Sequence, residues 1–275
     1  TQQTDKQFQQ TLELSNSIKM TGVFERAGAH LVVIPLQVHS SRMVISKMSA
    51  AIGNGHIGEG ANLQEFLEKQ KDTEVIINGG YFYFEKVKET YGIELPMGKN
   101  VGDGFGICKI SDNSYADTSS CSDRMGGWVV QRCKGEPFEL IPNISGTKHP
   151  NCEEYKYILS CSPLLMMEGK RVTNPVTPLE IKEKKGPPGH LGHLTQPNQR
   201  SLIGQRLDGS LVFISTQNGI IFEDMQELVE KSGCQTAMAL DGGGSTFLWE
   251  KGQPKVQGDK TRVVGNSIVV FAETF

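Results

Sequence analysis

No stretch of this 275-residue chain is apolar for long enough to span a bilayer. Positive charge is not in excess: 28 Lys and Arg stand against 31 Asp and Glu, for a formal net charge of −3 and a pI near 6.1. That balance gives no electrostatic footprint for nucleic acid or for an anionic membrane surface. No Cys-x-x-Cys occurs, which removes the zinc-ribbon and thioredoxin-like readings. No G-x-S-x-G elbow occurs, and no histidine follows Ser245, so Ser245 lacks the chain order of a serine-hydrolase triad.

Cysteine supports two readings. Cys108, Cys121, Cys133, Cys152 and Cys161 fall in one polar, turn-rich segment, and Cys234 stands apart. An even count clustered in a loop-rich segment predicts disulfides and an oxidising compartment, so a secreted, periplasmic or lumenal protein. Reduced core thiols in a cytosolic protein are the competing reading. The first residue is Thr1, not Met, as expected if the numbering starts after a removed segment or partway into a longer chain.

Glycine is abundant, at 31 residues, which implies many turns, while 37% hydrophobic content supports a sizeable core. The most informative glycines lie in Leu240-Asp241-Gly242-Gly243-Gly244-Ser245-Thr246-Phe247. The preceding Ala237-Met238-Ala239 reads with Leu240 as a buried strand that ends at a carboxylate, three glycines and two hydroxyls. Glycine is costly in a strand, and a plain tight turn needs one or two of them. Close backbone approach to a ligand, with N–H groups placed to hold an anion, accounts for three. Asp241 then stands at a strand's carboxyl end, where sites on α/β sheets form.

Patterning predicts two or three strands over residues 21–48, a helix over 62–70 capped by Asn62, and a strand Glu74-Val75-Ile76-Ile77 running into Asn78-Gly79-Gly80-Tyr81-Phe82. Residues 86–162 read as irregular, 155–173 as a hairpin, and 181–199 as a loop. Strands around the Asp208-Gly209 turn, a helix over 223–232, the strand to Asp241 and a final strand within 262–272 follow. Residues 1–20 are polar, with a short amphipathic stretch at Phe8, Leu12, Leu14 and Ile18. The segments 63–69 and 225–231 are alike, and each leads through a short strand to Asn-Gly-Gly or Asp-Gly-Gly. Parallel strands in one sheet would bring both loops to one edge. A βαβ crossover would add Thr216-Gln217-Asn218-Gly219 to that edge. The expected class is α+β, a single domain with a mixed β-sheet core flanked by helices.

Three further features are weaker. Gly53-Asn54-Gly55-His56-Ile57-Gly58 matches G-x-G-x-x-G, but its preceding residues suit a buried first strand poorly and no acidic residue ends a second strand. It reads as a glycine-rich turn, with a nucleotide-dependent oxidoreductase as the outside alternative. His190 and His193 have metal-compatible spacing without an acidic or thiol partner, so they read as solvated loop residues. Asp103 sits among Gly102, Gly104 and Gly106, where a turn aspartate and a site carboxylate are both tenable.

Four strings in fixed order resemble the phosphodiester glycosidase family: Asn78-Gly79-Gly80-Tyr81-Phe82, Arg200-Ser201-Leu202-Ile203-Gly204, Leu240-Asp241-Gly242-Gly243-Gly244-Ser245-Thr246, and Arg262-Val263-Val264-Gly265-Asn266-Ser267-Ile268. Three departures mark this chain. It has Gln199-Arg200-Ser201 for Pro-Arg-Thr, Phe247 for a second Thr, and Gln217-Asn218-Gly219 where Asp-Gly-Arg is common.

The resemblance implies one domain over residues 1–275, with 1–20 as an extension, and hydrolysis of a sugar-1-phosphodiester at the anomeric carbon. Phosphate leaves readily, so the hard tasks are to hold the diester's charge and to stabilise an oxocarbenium-like transition state. Arg200 would grip the phosphate, helped by the amides of Gly242, Gly243 and Gly244. Asp241 would be the catalytic carboxylate or a clamp on sugar hydroxyls, and Asp103 a second carboxylate. Asn78 would orient sugar or phosphate. Gly79, Gly80, Ser245, Thr246, Arg262 and Asn266 would complete the substrate-binding wall. No cofactor is required, although Asp241 with backbone oxygens also suits a hard divalent cation. A non-catalytic phosphosugar- or glycan-binding protein on the same scaffold is the alternative.

Overall fold

The computed structural model describes residues 20–48, 62–68, 72–82, 104, 106–110, 113–115, 125–144, 150–173 and 196–272. The amphipathic stretch 8–18, the glycine motif 53–58, Asp103, Cys121, His190 and His193 lie outside them.

The chain opens with helix α1 (Val23–Ala27), strand β1 (Ala29–Ile34), helix α2 (Leu36–Arg42) and strand β2 (Met43–Lys47). The expected strands over 21–48 are therefore two, with one short helix before them and another between them. Helix α3 (Leu63–Leu67) starts at Asn62, whose side chain accepts from the Glu65 N–H at 2.9 Å while Glu65 Oε2 accepts from the Asn62 N–H at 3.1 Å. This reciprocal cap satisfies two orphan donors of a helix too short to hold itself. Strand β3 (Thr73–Asn78) follows as expected.

The segment expected to be irregular carries five strands: β4 (Cys108–Ile110), β5 (Asn113–Tyr115), β6 (Gly127–Gln131), β7 (Glu139–Pro142) and β8 (Tyr157–Cys161). They form one sheet in the order β5-β4-β8-β6-β7. Strands β6 and β8 are buried at every residue, so neither shows the alternation by which strands are read. Strand β9 (Leu164–Met167) pairs with β10 (Lys170–Arg171) across the Glu168-Gly169 turn. The expected hairpin over 155–173 is thus half right, because β8 and β9 belong to different sheets.

The last quarter matches expectation most closely. Strands β11 (Ser201–Arg206) and β12 (Leu211–Thr216) flank the Asp208-Gly209 turn, and helix α4 (Phe222–Lys231) leads to β13 (Cys234–Ala239). Strands β14 (Phe247–Glu250), β15 (Gln253–Gln257) and β16 (Asn266–Phe271) complete the chain.

The class is α+β, and every registered strand pair is antiparallel. One sheet runs β1-β12-β11-β13-β9-β10 and another β15-β14-β3-β16-β2. Strands β12 and β13 are both antiparallel to β11, which lies between them, so they point the same way. The crossover through α4 is therefore split by one strand. It still brings residues 216–219 and Asp241 to one edge, as expected. Strands β3 and β13, expected in one sheet, lie in two, yet their glycine loops meet: the Asp241 N–H donates to Gly79 O at 2.9 Å.

One core cluster joins all three sheets, with Val32, Ile203 and Phe213 from the first, Ile45, Ile77 and Ile268 from the second, and Val129 and Leu159 from the third. The alternate residues Leu31, Val33, Leu202 and Ile214 face the other way, against Phe24, Met225, Leu228 and Val229 of the helices. The period of two in the strands and of three to four in α4 thus sort the side chains into separate cores.

The core-thiol reading fits Cys161 and Cys234, while Cys133 is exposed and Cys152 half-buried. Cys133, Cys152, Cys161 and Cys234 are thiols, and no disulfide joins the described cysteines. Cys161 and Cys234 are buried in apolar cores, where desolvation disfavours the thiolate. Burial pushes the Cys161 thiol far above its usual value and the Cys234 thiol up to about 12.

Candidate active site

The glycine loop after β13 lies where the first two sheets converge. Asp241 is fixed through its backbone: its N–H donates to Gly79 O, and its carbonyl accepts from Asn78 Nδ2 at 2.7 Å. Its carboxylate accepts from the Gly242 N–H at 2.9 Å and from the Ser245 hydroxyl, and it feels the positive charge of Arg262. Desolvation outweighs these three and pushes the carboxyl up to about 6. A carboxyl poised near neutrality, partly open to solvent at a loop of glycines, suits proton transfer or nucleophilic work.

Arg200 precedes β11, and its backbone is clamped to Thr216. Its N–H donates to Thr216 Oγ1 at 2.9 Å, and its carbonyl accepts from the Thr216 N–H at 2.9 Å. The side chain is buried, with Cδ against Gly242. Nε donates to Ile220 O at 3.3 Å and Nη2 to Gln196 O at 3.2 Å. The Nε edge of the guanidinium is therefore already committed to the backbone. Burial lowers the pKa of Arg200, partly offset by Tyr81 nearby.

Of the three loop amides, two are in use. Gly242 N–H serves the Asp241 carboxylate, and Gly243 N–H donates to Gln199 O at 2.9 Å. Gly244 N–H has no partner among the described residues and is exposed. Gly243 adopts φ +61° with its Cα packed toward the Asn198 amide, a backbone that side chains rarely adopt. The loop 258–262 lies alongside: Gly258 N–H donates to Thr246 O at 2.7 Å and Asp259 N–H to Gly244 O at 3.1 Å. Exposed Arg262 extends from this loop.

Asn78, at the end of β3, is 1% exposed and ties three segments together. Besides its bond to Asp241, its Oδ1 accepts from Ser201 Oγ at 2.6 Å and from the Phe247 N–H at 3.1 Å. Gly79 N–H donates to Asn266 O at 2.9 Å, and a Cβ on Gly79 would fall 1.9 Å from Asn266 Oδ1. No other residue fits there. Gly80 packs on the Ser160 carbonyl. Ser245 and Thr246 are buried, as is Asn266.

Asp241, Arg200, Asn78, the five glycines, Ser245, Thr246, Arg262 and Asn266 are thus brought to one end of the two sheets, from segments far apart in the chain. Three neighbours carry functional geometry that sequence reasoning left without a role. Ser201 and Thr216 anchor Asn78 and Arg200. Tyr81, next to Arg200, donates its hydroxyl to Ser162 O at 3.1 Å. Tyr81 and Ser201 sit inside the recognisable strings, which was the available signal. Among the described residues, no three His, Cys, Asp or Glu side chains gather as a metal site.

The model of the phosphodiester glycosidase family matches residues 71–271. The chain belongs to that family. Among solved structures, the catalytic domain of zebrafish N-acetylglucosamine-1-phosphodiester alpha-N-acetylglucosaminidase, auto-inhibited by its pro-peptide, matches with a TM-score of 0.55 at 14% identity, covering 89% of this chain and 83% of that one. A hypothetical protein from Synechocystis matches at 0.53 and 18%, covering 89% and 59%, and a putative exported protein from Burkholderia pseudomallei at 0.52 and 11%, covering 88% and 73%. At these identities the structures share the fold alone. No curated protein matches the sequence. In this family member, no helix among the described residues is long and apolar enough to cross a membrane.

The position where the family commonly has Asp-Gly-Arg is occupied by an interloop tie. Gln217 exchanges two hydrogen bonds with the Gln257 backbone, both at 3.3 Å, and Asn218 Nδ2 donates to Arg26 O at 2.8 Å.

Proposed function

We propose that this phosphodiester glycosidase cleaves the glycosidic bond of a sugar-1-phosphodiester of the N-acetylglucosamine-1-phosphodiester kind, with water, releasing free sugar and a phosphomonoester. The observation that carries the proposal is Asp241: a carboxyl with its pKa pushed up to about 6, flanked by the charge of Arg262 and by Arg200. The phosphate departs with the bond's electron pair and needs little protonation, so the ionised carboxylate is the working form, as nucleophile or as base on water. Positive charge from Arg262 and Arg200, with the Gly244 N–H, holds the diester and the departing phosphate. Asn78 fixes Asp241 through its backbone rather than touching substrate. The proposed location is outside the cytosol. It draws support from the Burkholderia structural neighbour, a putative exported protein, rather than from disulfides.

The test is turnover of the methyl diester of α-N-acetylglucosamine 1-phosphate, followed by NMR, for the parent and Asp241→Asn. Free sugar from the parent alone supports the proposal. Binding without turnover in the parent selects the glycan-binding alternative, which the tied 217–219 loop favours.

A further inference from the structure

Asn266 and Thr246 present an unusual combination of burial and idleness. Asn266 is 1% exposed, and neither Oδ1 nor Nδ2 has a hydrogen-bond partner among the described residues. Thr246, also 1% exposed, has an unpartnered Oγ1. The two flank the catalytic loops at close range. Asn266 is bonded to Gly79, whose carbonyl holds the Asp241 N–H. Thr246 precedes Phe247, whose N–H is bonded to Asn78. The Asn266 amide lies over Gly79, where the absence of a side chain makes room for it.

A buried amide left unpaired is expensive, and the neighbouring Asn78 shows that this fold pairs its asparagines where it can. The required occupant is chemically constrained. One end of a carboxamide only accepts and the other only donates, whichever way round the amide is set. A diester phosphate has no proton to give, so it leaves the accepting end unmatched. An ionised carboxylate fails in the same way. A neutral group that both donates and accepts satisfies Asn266, and the Thr246 hydroxyl takes either role.

We propose that Asn266 and Thr246 form a hydroxyl-recognising subsite for the glycosyl unit, separate from the charge-holding Arg262, Arg200 and Gly244. This rests on the sugar-phosphodiester reading for its ligand. Gly104, which bridges Phe82, lies close to Asn266 Nδ2.

The test separates sugar binding from turnover. Saturation-transfer NMR and calorimetry with free glucose, galactose, mannose and N-acetylglucosamine are run on the parent, Thr246→Val and Asn266→Leu, beside melting curves without sugar. The expected result is that at least one sugar binds the parent, that each variant weakens it at least tenfold, and that neither ligand-free melting temperature falls. Sugar binding that both variants keep, or no binding by the parent, overturns the proposal. A fall of several degrees in both ligand-free variants also overturns it, because the atoms then hold internal water. Failure of the methyl diester to turn over, with sugar binding intact and lost in the variants, sinks the reaction and leaves the subsite standing.

Discussion

Buried polar groups behave differently at two places in this molecule. Around His39 the side chains of His39, Gln205 and Gln131 are paired with backbone groups. His39 Nε2 bonds Gly209 O at 2.9 Å, and Nδ1 accepts from the Phe138 N–H at 3.1 Å. Gln205 bonds both Leu140 N–H and Phe138 O, and Gln131 Nε2 donates to Ser40 O and Glu136 O. Around Gly79 the Asn78 amide is fully engaged, while Asn266, Thr246 and Ser267 hold buried polar atoms without partners among the described residues. The first pattern is what stability alone selects. The second keeps hydrogen-bonding capacity that the folded chain does not use, beside a carboxyl that is itself desolvated. The contrast separates groups that hold the fold from groups reserved for a ligand, and it breaks if mutations in the two regions behave alike.

The largest expected effect is on activity at the reserved side. Asp241→Asn lowers kcat/KM on the methyl diester by on the order of 10³-fold, the scale of a lost acid–base or nucleophilic group. The parent's activity rises with pH through about 6, as the carboxyl ionises, and that inflection is absent from whatever activity the variant retains. A limb that falls through pH 6 would instead assign Asp241 as the acid. Stability runs the other way. The folded pKa lies above the unfolded value, so ionisation opposes folding and native stability declines as pH rises towards 6. Asn removes that dependence, and melting curves at pH 5 and 7 check it.

On the structural side the largest effect is acid lability. Burial holds His39 at about 4, well below the ordinary 6.5. The unfolded chain therefore binds a proton that the fold refuses. Stability is full above about pH 6.5 and is lost as pH falls to 4, by roughly 3 kcal/mol in total. His39→Gln keeps a donor and an acceptor but does not titrate. Denaturant melts at pH 7 and 5 should show the parent losing roughly 2 kcal/mol more than the variant. Equal losses would remove His39 from the account.

Next in size is Asn78→Ala, which takes the acceptor from the buried Phe247 N–H and the Nδ2 donor from the Asp241 carbonyl. It should cost about 2–3 kcal/mol. Asn78 was legible in the sequence as a site residue, because Asn-Gly-Gly at a strand end marks close approach, but its work is not. Its partners come from β11, β14 and the Asp241 loop, and no local pattern encodes that meeting. The same holds for the fold. The β11–β12 hairpin and α4 are legible because apolar runs on either side of Asp-Gly, and helical spacing, act over short stretches of chain. Strand β6 is not: it is buried at every residue, so no alternation marks it, and no Asp-Gly turn joins it to a neighbour. Nor does the expected hairpin over 155–173 show that the chain passes from one sheet to another between β8 and β9. The Asn78 and Asp241 loops and residues 216–219 are expected at one edge from the sequence. That Gly242 and Gly243 spend their amides internally required the register of distant strands.

The smallest effects give the sharpest comparison, because two serines differ only in partners. Ser201 and Ser267 are both fully buried. Ser201 Oγ donates to Asn78 Oδ1 at 2.6 Å and lies 3.1 Å from Ser215 Oγ. Ser267 Oγ has no partner among the described residues, although its backbone is registered opposite Asn78. Ser201→Ala should cost about 1–2 kcal/mol in denaturant melts, since it takes one of two donors from the buried Asn78 Oδ1. Ser267→Ala should cost nothing measurable or stabilise slightly, because it removes a hydroxyl whose desolvation is unrepaid. If the two cost the same, ordered water pairs Ser267 in solution, and the same water would account for Asn266 and Thr246. If they split as expected, water does not pair Ser267, and the water account of Asn266 and Thr246 loses its support.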